Sequence, residues 1–533
     1  MTSTEYALGG HADAAEQRIS DLAAAGTASR IWDRDHTVWA AEPLPELTDR
    51  LGWLELPYGL DDRIPDLIEF AAEASAFRHV VLLGMGGSSL APEVFATTFG
   101  TGSPELIVLD STHPEAIRAV VGRIEPLKTL FLIASKSGST VETMSLASYF
   151  FDKVSGSTDE PGQHFVALTD PDSDLERLAF ENQYRNTFFT PADVGGRYSA
   201  LTDFGMVPAA VVGAPIAALA VSAQAIADAC KQDTTDNPGL RLGATLGVLA
   251  LAGRDKVTLL TSPGLSAVPA WIEQLIAEST GKGGVGIVPI ADEPARSDHG
   301  DDRVFVSYAL ANEGHSPTLD ALQAAGHPVI RFTLDGGTEL AAEMYRLEFA
   351  TAVAGAVLGI NPFDQPDVQA AKTLAKQAME GGALDPATET AAGDDNLGEA
   401  ITAFVESVQP GDYLGIQAYL PNSETTTEAL QTIRMQVGRR AGVATTLGYG
   451  PRFLHSTGQL HKGGPPSGCF IQIVDEPLLD IDIPGSTHGF RDLISAQALG
   501  DYHAMTQAGR RVLRINLGGK LGNLARVLLG SRG

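Results

Sequence analysis

A hydroxyl-rich segment at residues 135–143 combines the residue types and spacing that phosphate binding requires. It reads Ser-Lys-Ser-Gly-Ser-Thr-Val-Glu-Thr and follows the apolar run Leu130–Ala134. Hydroxyl groups and free backbone N–H groups at the start of a helix suit a dianionic phosphate monoester. Helix capping, the alternative role, would use only one or two of these hydroxyls. We therefore predict that this loop binds a phosphate group.

A glycine-rich turn precedes this loop, between the apolar run that begins at Val80 and a helix-compatible stretch. Gly84 and Gly86 fit the first two positions of G-x-G-x-x-G, but Ser89 occupies the third, so a dinucleotide fingerprint is not supported. Glycines at such a junction let a ligand approach the backbone, and Ser88 could donate to it. The alternative is a tight turn in which Ser88 caps the helix.

Charged side chains elsewhere in the chain could carry acid–base chemistry. Gln274 and Glu278 are four residues apart on a predicted helix and therefore share one face, where the carboxylate could act as a general base. Arg197 follows two glycines, which would present its guanidinium well. Each has an ordinary alternative, a solvated helix face for the pair and a surface ion pair for the arginine.

Five motifs in this order resemble the phosphoglucose isomerase family over about residues 80–376. The family patterns are G-x-G-G-S, S-K-[ST]-G/F-x-T-x-E-T, G-G-R-[FY]-S, Q-x-x-x-E-S-x-G-K and N-P-F-D-Q with a lysine seven residues after the Gln. They correspond here to Gly84–Ser88, Ser135–Thr143, Gly195–Ser199, Gln274–Lys282, and Asn361–Gln365 with Lys372.

The family's ring-opening histidine is displaced in this sequence. It normally follows the glutamate motif within a segment resembling H-S-x-x-Q-L, but His299 is the only histidine near Glu278, and the rest of the pattern is missing there. The pattern appears after Lys372 instead, beginning at His455. We therefore favour His455 over His299, and infer a different strand order in the second domain, as in the lineage also found fused to transaldolase.

The resemblance implies an aldose–ketose isomerase that interconverts glucose 6-phosphate and fructose 6-phosphate through an enediol. Glu278 would be the base, Arg197 would stabilise the intermediate, and His455 with Lys372 would open the sugar ring. The substrate would be held by Gly87, Ser88, Ser135, Ser137 and Thr140, with Lys136, Glu142, Gln274 and Gln365 as supporting residues. The scheme needs no cofactor and no metal, and the family's dimers imply a homodimer with shared active sites. Another phosphosugar isomerase and a non-catalytic sugar-phosphate-binding regulator remain alternatives.

The elements that must position these residues alternate between short apolar runs and helical patterns, which predicts an α/β fold with mainly parallel sheets. We expect two doubly wound sugar isomerase (SIS) domains, a helical N-terminal segment and a C-terminal α/β extension. The predicted boundaries are 1–70 for the helical segment, 71–235 and 236–380 for the two SIS domains, and 381–533 for an extension completing the second. Residues 381–396 read as an exposed linker or loop, and a helix is expected near Leu524.

Bulk composition excludes several other classes of function. The net charge of -29, from 37 basic and 66 acidic residues, disfavours nucleic acid and anionic membrane surfaces as partners. Two unpaired cysteines and the lack of an N-terminal signal pattern favour the cytoplasm. The apolar stretch Gly205–Ala227 contains two prolines, which favours a pair of buried helices over a membrane span.

Overall fold

In the computed structural model of the protein, three five-stranded sheets are surrounded by helices. The structure describes residues 2–100, 102, 104–296, 298–379, 389–391 and 397–518. The strands are β1 (Ser3–Ala7), β2 (His79–Gly84), β3 (Glu105–Leu109), β4 (Thr129–Ala134), β5 (Phe165–Thr169), β6 (Asn186–Phe189), β7 (Lys256–Thr261), β8 (Val288–Ile290), β9 (Arg303–Leu310), β10 (Val329–Leu334), β11 (Glu389–Ala391), β12 (Tyr413–Tyr419), β13 (Ala444–Tyr449), β14 (Gly468–Val474) and β15 (Arg511–Asn516).

Helices connect these strands and cover the faces of the sheets. They are α1 (Ala12–Ala24), α2 (Thr27–Trp32), α3 (Leu56–Ala74), α4 (Gly87–Phe99), α5 (Pro114–Arg123), α6 (Val141–Ser155), α7 (Asp174–Glu181), α8 (Asp203–Val211), α9 (Ile216–Cys230), α10 (Pro238–Leu251), α11 (Val268–Thr280), α12 (Thr318–Ala324), α13 (Leu340–Leu358), α14 (Val368–Met379), α15 (Leu397–Glu406), α16 (Glu424–Ala441), α17 (Gly458–Gly463) and α18 (Phe490–Gln507). The predicted α/β class with mainly parallel sheets is confirmed.

The first sheet has the order β3-β2-β4-β5-β6 and is parallel throughout. The chain leaves β2 towards one side for β3 and returns to the other side for β4, so the strand order reverses between β2 and β4. Ligands of open α/β sheets bind beyond the carboxyl ends of the strands at such a reversal. In the register of this pair, Gly84 lies opposite Ala134. The glycine-rich turn and the hydroxyl-rich loop therefore leave the sheet side by side.

The second sheet has the order β1-β10-β9-β7-β8, and β1 pairs antiparallel with β10. The sequence predicted only helices in residues 1–70, so β1 was missed. This strand is short and largely exposed, and Tyr6 packs edge-on against Phe332 with ring centroids 6.4 Å apart. Its conformation depends on pairing with a partner more than 300 residues away, which no local pattern reveals.

The third sheet, β11-β15-β14-β12-β13, is parallel and built entirely from the C-terminal part of the chain. It lies beside the second sheet, where Arg434 of α16 donates to the carbonyls of Ala291 and Asp292, both at 2.8 Å. The turn that carries His455 follows β13, so the third sheet supplies this histidine. The boundaries of the four predicted segments stay predictions.

Two further expectations concern helices. The apolar stretch predicted as a helix pair forms α8 and α9, as expected. Within the described ranges, no helix has the length and apolar character that crossing a membrane requires. Most of the predicted linker at 381–396, apart from β11, and the helix expected near Leu524 lie outside the described residues.

Candidate active site

A cleft of about 510 Å³ opens beyond the carboxyl ends of β2 and β4, and loops from the first and third sheets and the α11 and α14 regions line it. All of the predicted site residues except Glu142 contribute to its wall: Gly87, Ser88, Ser135, Lys136, Ser137, Thr140, Arg197, Gln274, Glu278, Gln365, Lys372 and His455. Glu142 lies directly behind it, in contact with His455. The structure thus gathers the whole predicted set from parts of the sequence that are far apart.

The hydroxyl-rich loop presents its side chains at the start of α6. Ser135 Oγ donates to Thr140 Oγ1 at 3.1 Å, and Ser137 and Ser139 share a hydrogen bond of 2.7 Å. Thr140 is the residue before the helix, but its side chain makes no capping bond. These hydroxyls therefore stand at the positive end of a 15-residue helix, where an anion is stabilised.

Gly138 gives this loop its tight path. Its φ is +69°, and a Cβ atom there would lie 2.2 Å from the backbone nitrogen of Leu175. Any other residue would combine an unfavourable backbone conformation with a collision against main-chain atoms. The position therefore requires glycine, which explains its place among the hydroxyls.

Lys136 brings little uncompensated charge to the loop, because it forms an ion pair with Asp170. Its Nζ also donates to the carbonyl oxygen of Ala192 at 3.0 Å, and Arg50 Nη1 donates to the same oxygen at 2.6 Å. Arg50 lines the cleft as a further cation. Sequence reasoning missed it, since it belongs to no motif and lies 85 residues before the loop.

The glycine-rich turn makes room for other parts of the protein. A Cβ at Gly86 would lie 2.7 Å from the carbonyl oxygen of His455, and one at Gly87 would lie 1.8 Å from that of Gly196. The glycines therefore admit the two turns that carry His455 and Arg197. The helix is capped at Gly86, so the alternative in which Ser88 caps it is wrong, and Ser88 lines the cleft from the first turn of α4.

Arg197 is buried, and its hydrogen bonds all go to neutral acceptors. Its Nε donates to Ser279 Oγ at 2.8 Å and its Nη1 to Gln365 Oε1 at 2.8 Å, while Nη2 donates to two carbonyls of the 362–364 turn. The neighbouring Tyr198 stacks on the buried Trp53 at 5.3 Å. The surface ion pair considered from the sequence is therefore wrong, because the guanidinium is fixed inside the protein with Nη1 3.8 Å from Glu278.

The carboxylate of Glu278 lies between this arginine and the end of the Gln274 side chain. Gln274 Nε2 is 3.2 Å from Glu278 Oε2 and donates to the main-chain carbonyl of His455 at 2.8 Å. Both residues are nearly buried, with exposed fractions of 3% and 8%. The pair is therefore not a solvated helix face, and the amide joins the helix of Glu278 to the turn of His455.

His455 Nε2 lies 2.8 Å from Glu142 Oε1. Burial acts to raise the pKa of the Glu142 carboxyl, but the charges of His455 and Lys372 and hydrogen bonds together hold that pKa below its ordinary value. Glu142 is thus an ionised acceptor, so His455 must carry a proton at Nε2. The other ring nitrogen, Nδ1, is left for a ligand.

The turn of His455 is also anchored through Arg452, at the start of the same 3-10 turn. Arg452 forms an ion pair with Glu93 of α4 and a second, at 3.2 Å, with the buried Asp110 after β3. Removing one partner of a buried pair leaves an uncompensated charge, so this anchor resists displacement. Neither the arginine nor its two partners stood out in the sequence.

His299 occupies a different part of the molecule. Its ring packs on Phe305 at 4.9 Å and lies 6.1 Å from the ring of His327, outside the cleft. Burial, followed by the charge of Arg303, lowers the pKa of His299 to about 4. Of the two histidines, only His455 reaches the other predicted residues.

Gln365 and Lys372 reach the cleft from the turn before α14 and from α14 itself, and Lys372 is exposed there. Behind them, the nearly buried Lys282 donates to the carbonyl of Asp364 at 2.5 Å and to its side chain at 2.7 Å. Burial, followed by the charge of Arg197, lowers the pKa of Lys282 to about 8. This lysine ties the turn that carries Gln365 to the end of the Glu278 helix.

The structure also bears on metal-ligand and thiol chemistry. Throughout the part of the chain that the structure describes, no three His, Cys, Asp or Glu residues come together as a metal site. Cys230 and Cys469 are both buried and unpaired.

Comparison with known proteins identifies similar sequences. Residues 70–289 match the family described as phosphoglucose isomerase. The probable glucose-6-phosphate isomerase of Methanococcus maripaludis is 28% identical over 389 residues, which cover 64% of this chain and 86% of the relative. The glucose-6-phosphate isomerase of Rubrobacter xylanophilus is 29% identical over 361 residues, which cover 57% and 83% of the two chains.

Two solved structures share the fold. A hypothetical protein from Thermus thermophilus aligns with a TM-score of 0.63 and 24% identity, covering 71% of this chain and 99% of that one. A glucose-6-phosphate isomerase from Chlamydia trachomatis aligns with a TM-score of 0.53 and 20% identity, covering 67% and 78%. The five motifs gathered in one cleft and these relatives make this chain similar to the phosphoglucose isomerase family, whose model matches residues 70–289.

Proposed function

We propose that this protein catalyses the reversible isomerisation of glucose 6-phosphate and fructose 6-phosphate, a step of glycolysis and gluconeogenesis. One observation carries the proposal: Glu278 and Arg197 lie 3.8 Å apart in the cleft whose wall includes the hydroxyl-rich loop. An aldose–ketose isomerase needs a base, a group that stabilises the enediolate and an anchor for the phosphate. The names of the relatives above support the same substrates.

In the first step His455 and Lys372 open the sugar ring. Protonated His455 gives the proton on Nδ1 to the ring oxygen as the C1–O5 bond breaks. The C1 hydroxyl gives its proton to water in the cleft, and the C1 carbonyl forms. Lys372, exposed at the cleft, would interact with the oxygens at this end of the sugar.

In the second step Glu278 removes the proton from C2, and the electrons move through a C1–C2 double bond onto the carbonyl oxygen. The product is a cis-enediol or its enediolate, whose negative charge Arg197 stabilises. Because its donors are already fixed by Ser279 and Gln365, the guanidinium needs no reorganisation at the moment of reaction. Glu278 then returns the proton to C1 while a hydroxyl proton moves between the two oxygens, which gives fructose 6-phosphate.

Ser135, Ser137 and Thr140 hold the phosphate with the N–H groups at the start of α6, and Ser88 and Gly87 complete that side of the cleft. Lys136, Glu142, Gln274 and Gln365 orient the substrate or the catalytic groups. Since the net charge of the chain is -29, these local donors must overcome a general repulsion of the anionic substrate.

A homodimer in the cytoplasm, of the lineage also found fused to transaldolase, is part of the proposal. The sequence led us to expect that two chains share each site. One chain already brings the turn of His455 to Gln274, on the helix of Glu278, so a dimer would not need to exchange this histidine.

A coupled assay with fructose 6-phosphate tests the function. Wild type and the exposed-carboxylate control Glu181→Gln should form glucose 6-phosphate under reducing, metal-free conditions, whereas Glu278→Gln should lose roughly 10²–10⁴-fold in kcat. A lack of activity in wild type would overturn the proposed isomerase function. Full activity in Glu278→Gln would overturn the assignment of Glu278 as the base. Parallel assays with mannose 6-phosphate and glucosamine 6-phosphate would reveal a different phosphosugar isomerase.

A further inference from the structure

Behind His455 a chain of buried hydrogen bonds leads from the cleft to helix α18. Glu142 Oε1 receives a hydrogen bond from His455 Nε2 at 2.8 Å and another from Gln497 Nε2 at 2.6 Å. Gln497 Oε1 in turn accepts from Thr112 Oγ1 at 3.0 Å. Thr112 is fully buried, and Glu142 and Gln497 are each 6% exposed. Water is thus excluded from a set of polar groups that satisfy one another.

The chemistry of these groups allows only one direction of hydrogen bonding. An ionised carboxylate only accepts, so Gln497 must turn its NH₂ group towards Glu142 and its oxygen towards Thr112. The threonine hydroxyl then donates to that oxygen. With Glu142 held by Gln497 from one side, His455 can approach it only as a donor, through Nε2–H.

Helix α18 also packs closely against the helix that carries Lys372. A Cβ atom at Gly500 would lie 2.6 Å from the backbone nitrogen of Ala375 in α14. The glycine therefore lets the two helices approach to backbone contact. The same helix thus supports both groups assigned to ring opening, His455 through Glu142 and Lys372 through α14.

We propose that Gln497 is a positioning residue for ring opening: it fixes the Glu142 carboxylate, which holds one proton of protonated His455 on Nε2 and so presents the Nδ1–H group to the ring oxygen. This inference rests on the proposed function. Gln497 does not touch the substrate and acts through Glu142. The C-terminal extension therefore contributes to the chemistry by way of the first sheet's phosphate-binding helix.

The test separates ring opening from proton transfer at C2. Interconversion of the α and β anomers of glucose 6-phosphate requires ring opening but not Glu278, and exchange NMR measures its rate. Gln497→Met, which keeps the shape but loses both polar atoms, should slow anomerisation roughly tenfold to a hundredfold. Thr112→Val, which leaves Gln497 in place but removes its partner, should have a smaller effect in the same direction.

Gln417→Met is the matched control. Gln417 is a buried glutamine of β12 whose amide faces His461 and Met505, away from the cleft. The Gln417→Met variant measures the effect of removing a buried amide from this region without touching Glu142. Melting temperatures of all three variants show whether each is folded.

The expected pattern is slow anomerisation in Gln497→Met and an unchanged rate in Gln417→Met, in wild-type and Glu278→Gln backgrounds alike. The acid limb of the kcat/KM profile should also move to higher pH in Gln497→Met. The Glu142 carboxylate, beside His455 and Lys372, loses the hydrogen bond from Gln497, and this loss raises its pKa. Equal anomerisation in the folded Gln497→Met and Gln417→Met would overturn the inference. If wild type formed no glucose 6-phosphate, the proposed function itself would fail, which is a separate result.

Discussion

The side-chain amide of Gln274 donates to the main-chain carbonyl of His455 at 2.8 Å, although the two residues are 181 positions apart. The same nitrogen lies 3.2 Å from Glu278 Oε2. One amide group therefore sets the separation between the proposed base and the turn of the proposed ring-opening histidine. Gly86 leaves the space in which this contact forms, with a φ of +56°.

Replacing Gly86 by Ala should disturb this contact. The new Cβ would lie 2.7 Å from the His455 carbonyl and 2.8 Å from Gln274 Nε2, in a backbone conformation that costs about 1–3 kcal/mol for other residues. We expect a lower free energy of unfolding and a lower kcat. Gly122→Ala is the control, since Gly122 is in helix α5 with open space around it and should gain roughly 0.5–1 kcal/mol. Urea denaturation of both variants checks this, and equal stabilities would contradict it.

The two candidate histidines can be separated by single substitutions. His455→Ala should lower kcat for cyclic substrate by roughly 10²–10⁴-fold, because the acid that serves the ring oxygen is lost. His299→Ala should keep near-normal kinetics, since that ring packs on Phe305 outside the cleft. Activity assays with cyclic and open-chain substrate compare them. A larger loss in His299→Ala would reverse the assignment.

Mixing two inactive variants tests whether a single chain makes a complete site. Glu278→Gln and His455→Ala, denatured together and refolded as a mixture, should recover no activity beyond that of the separate variants. If sites were shared between chains, about a quarter of them would combine two intact halves. Recovered activity would therefore show that His455 acts in the partner's site. Size-exclusion chromatography of the same samples reports the oligomeric state.

The hydroxyl-rich loop should act on substrate binding. Ser135→Ala combined with Thr140→Val removes two hydroxyls at the start of α6, each worth about 0.5–1.5 kcal/mol as a hydrogen-bonding group. We expect KM for fructose 6-phosphate to rise about tenfold, with inorganic phosphate becoming a weaker competitive inhibitor. Ser155→Ala, at the far end of the same helix, should leave both constants unchanged. An unchanged KM in the double variant would argue against phosphate binding here.

Lys282 should make stability depend on pH in the alkaline range. Its pKa is lowered from 10.5 to about 8 by burial and by Arg197, so the folded protein releases this proton earlier than the unfolded chain does. Between those two pH values the unfolded chain binds more protons, and the free energy of unfolding contributed by this group rises with pH. The destabilisation caused by burying the charged lysine is complete below pH 8 and disappears near pH 10.5, the ordinary lysine pKa.

Urea denaturation from pH 7 to 10.5 measures this contribution. The difference in unfolding free energy between wild type and Lys282→Met should shift in favour of wild type as the pH rises. Lys153→Met, an exposed lysine of α6, should differ from wild type by a constant amount. Parallel curves for Lys282→Met and wild type would contradict the lowered pKa.

Local chemistry explains why much of the site was predictable from the sequence. A phosphate anchor needs hydroxyls beside a helix start and a glycine in the tight turn, and both are written within nine consecutive residues. Glu278 and Gln274 share a helix face, and the family motifs carry Arg197, Gln365 and Lys372. The apolar runs located most of the strands for the same reason, because a buried parallel strand needs consecutive apolar residues.

Only the tertiary structure placed His455 at the cleft and His299 outside it, added β1, and assembled the C-terminal strands into a third sheet. It also showed the supporting groups Gln497, Thr112, Arg452 and Arg50, none of which belongs to a motif. Their roles depend on distances between residues up to hundreds of positions apart, and such distances are fixed by packing rather than by local sequence. The sequence by itself determined what kind of groups the site contains, and the fold determined which of them meet.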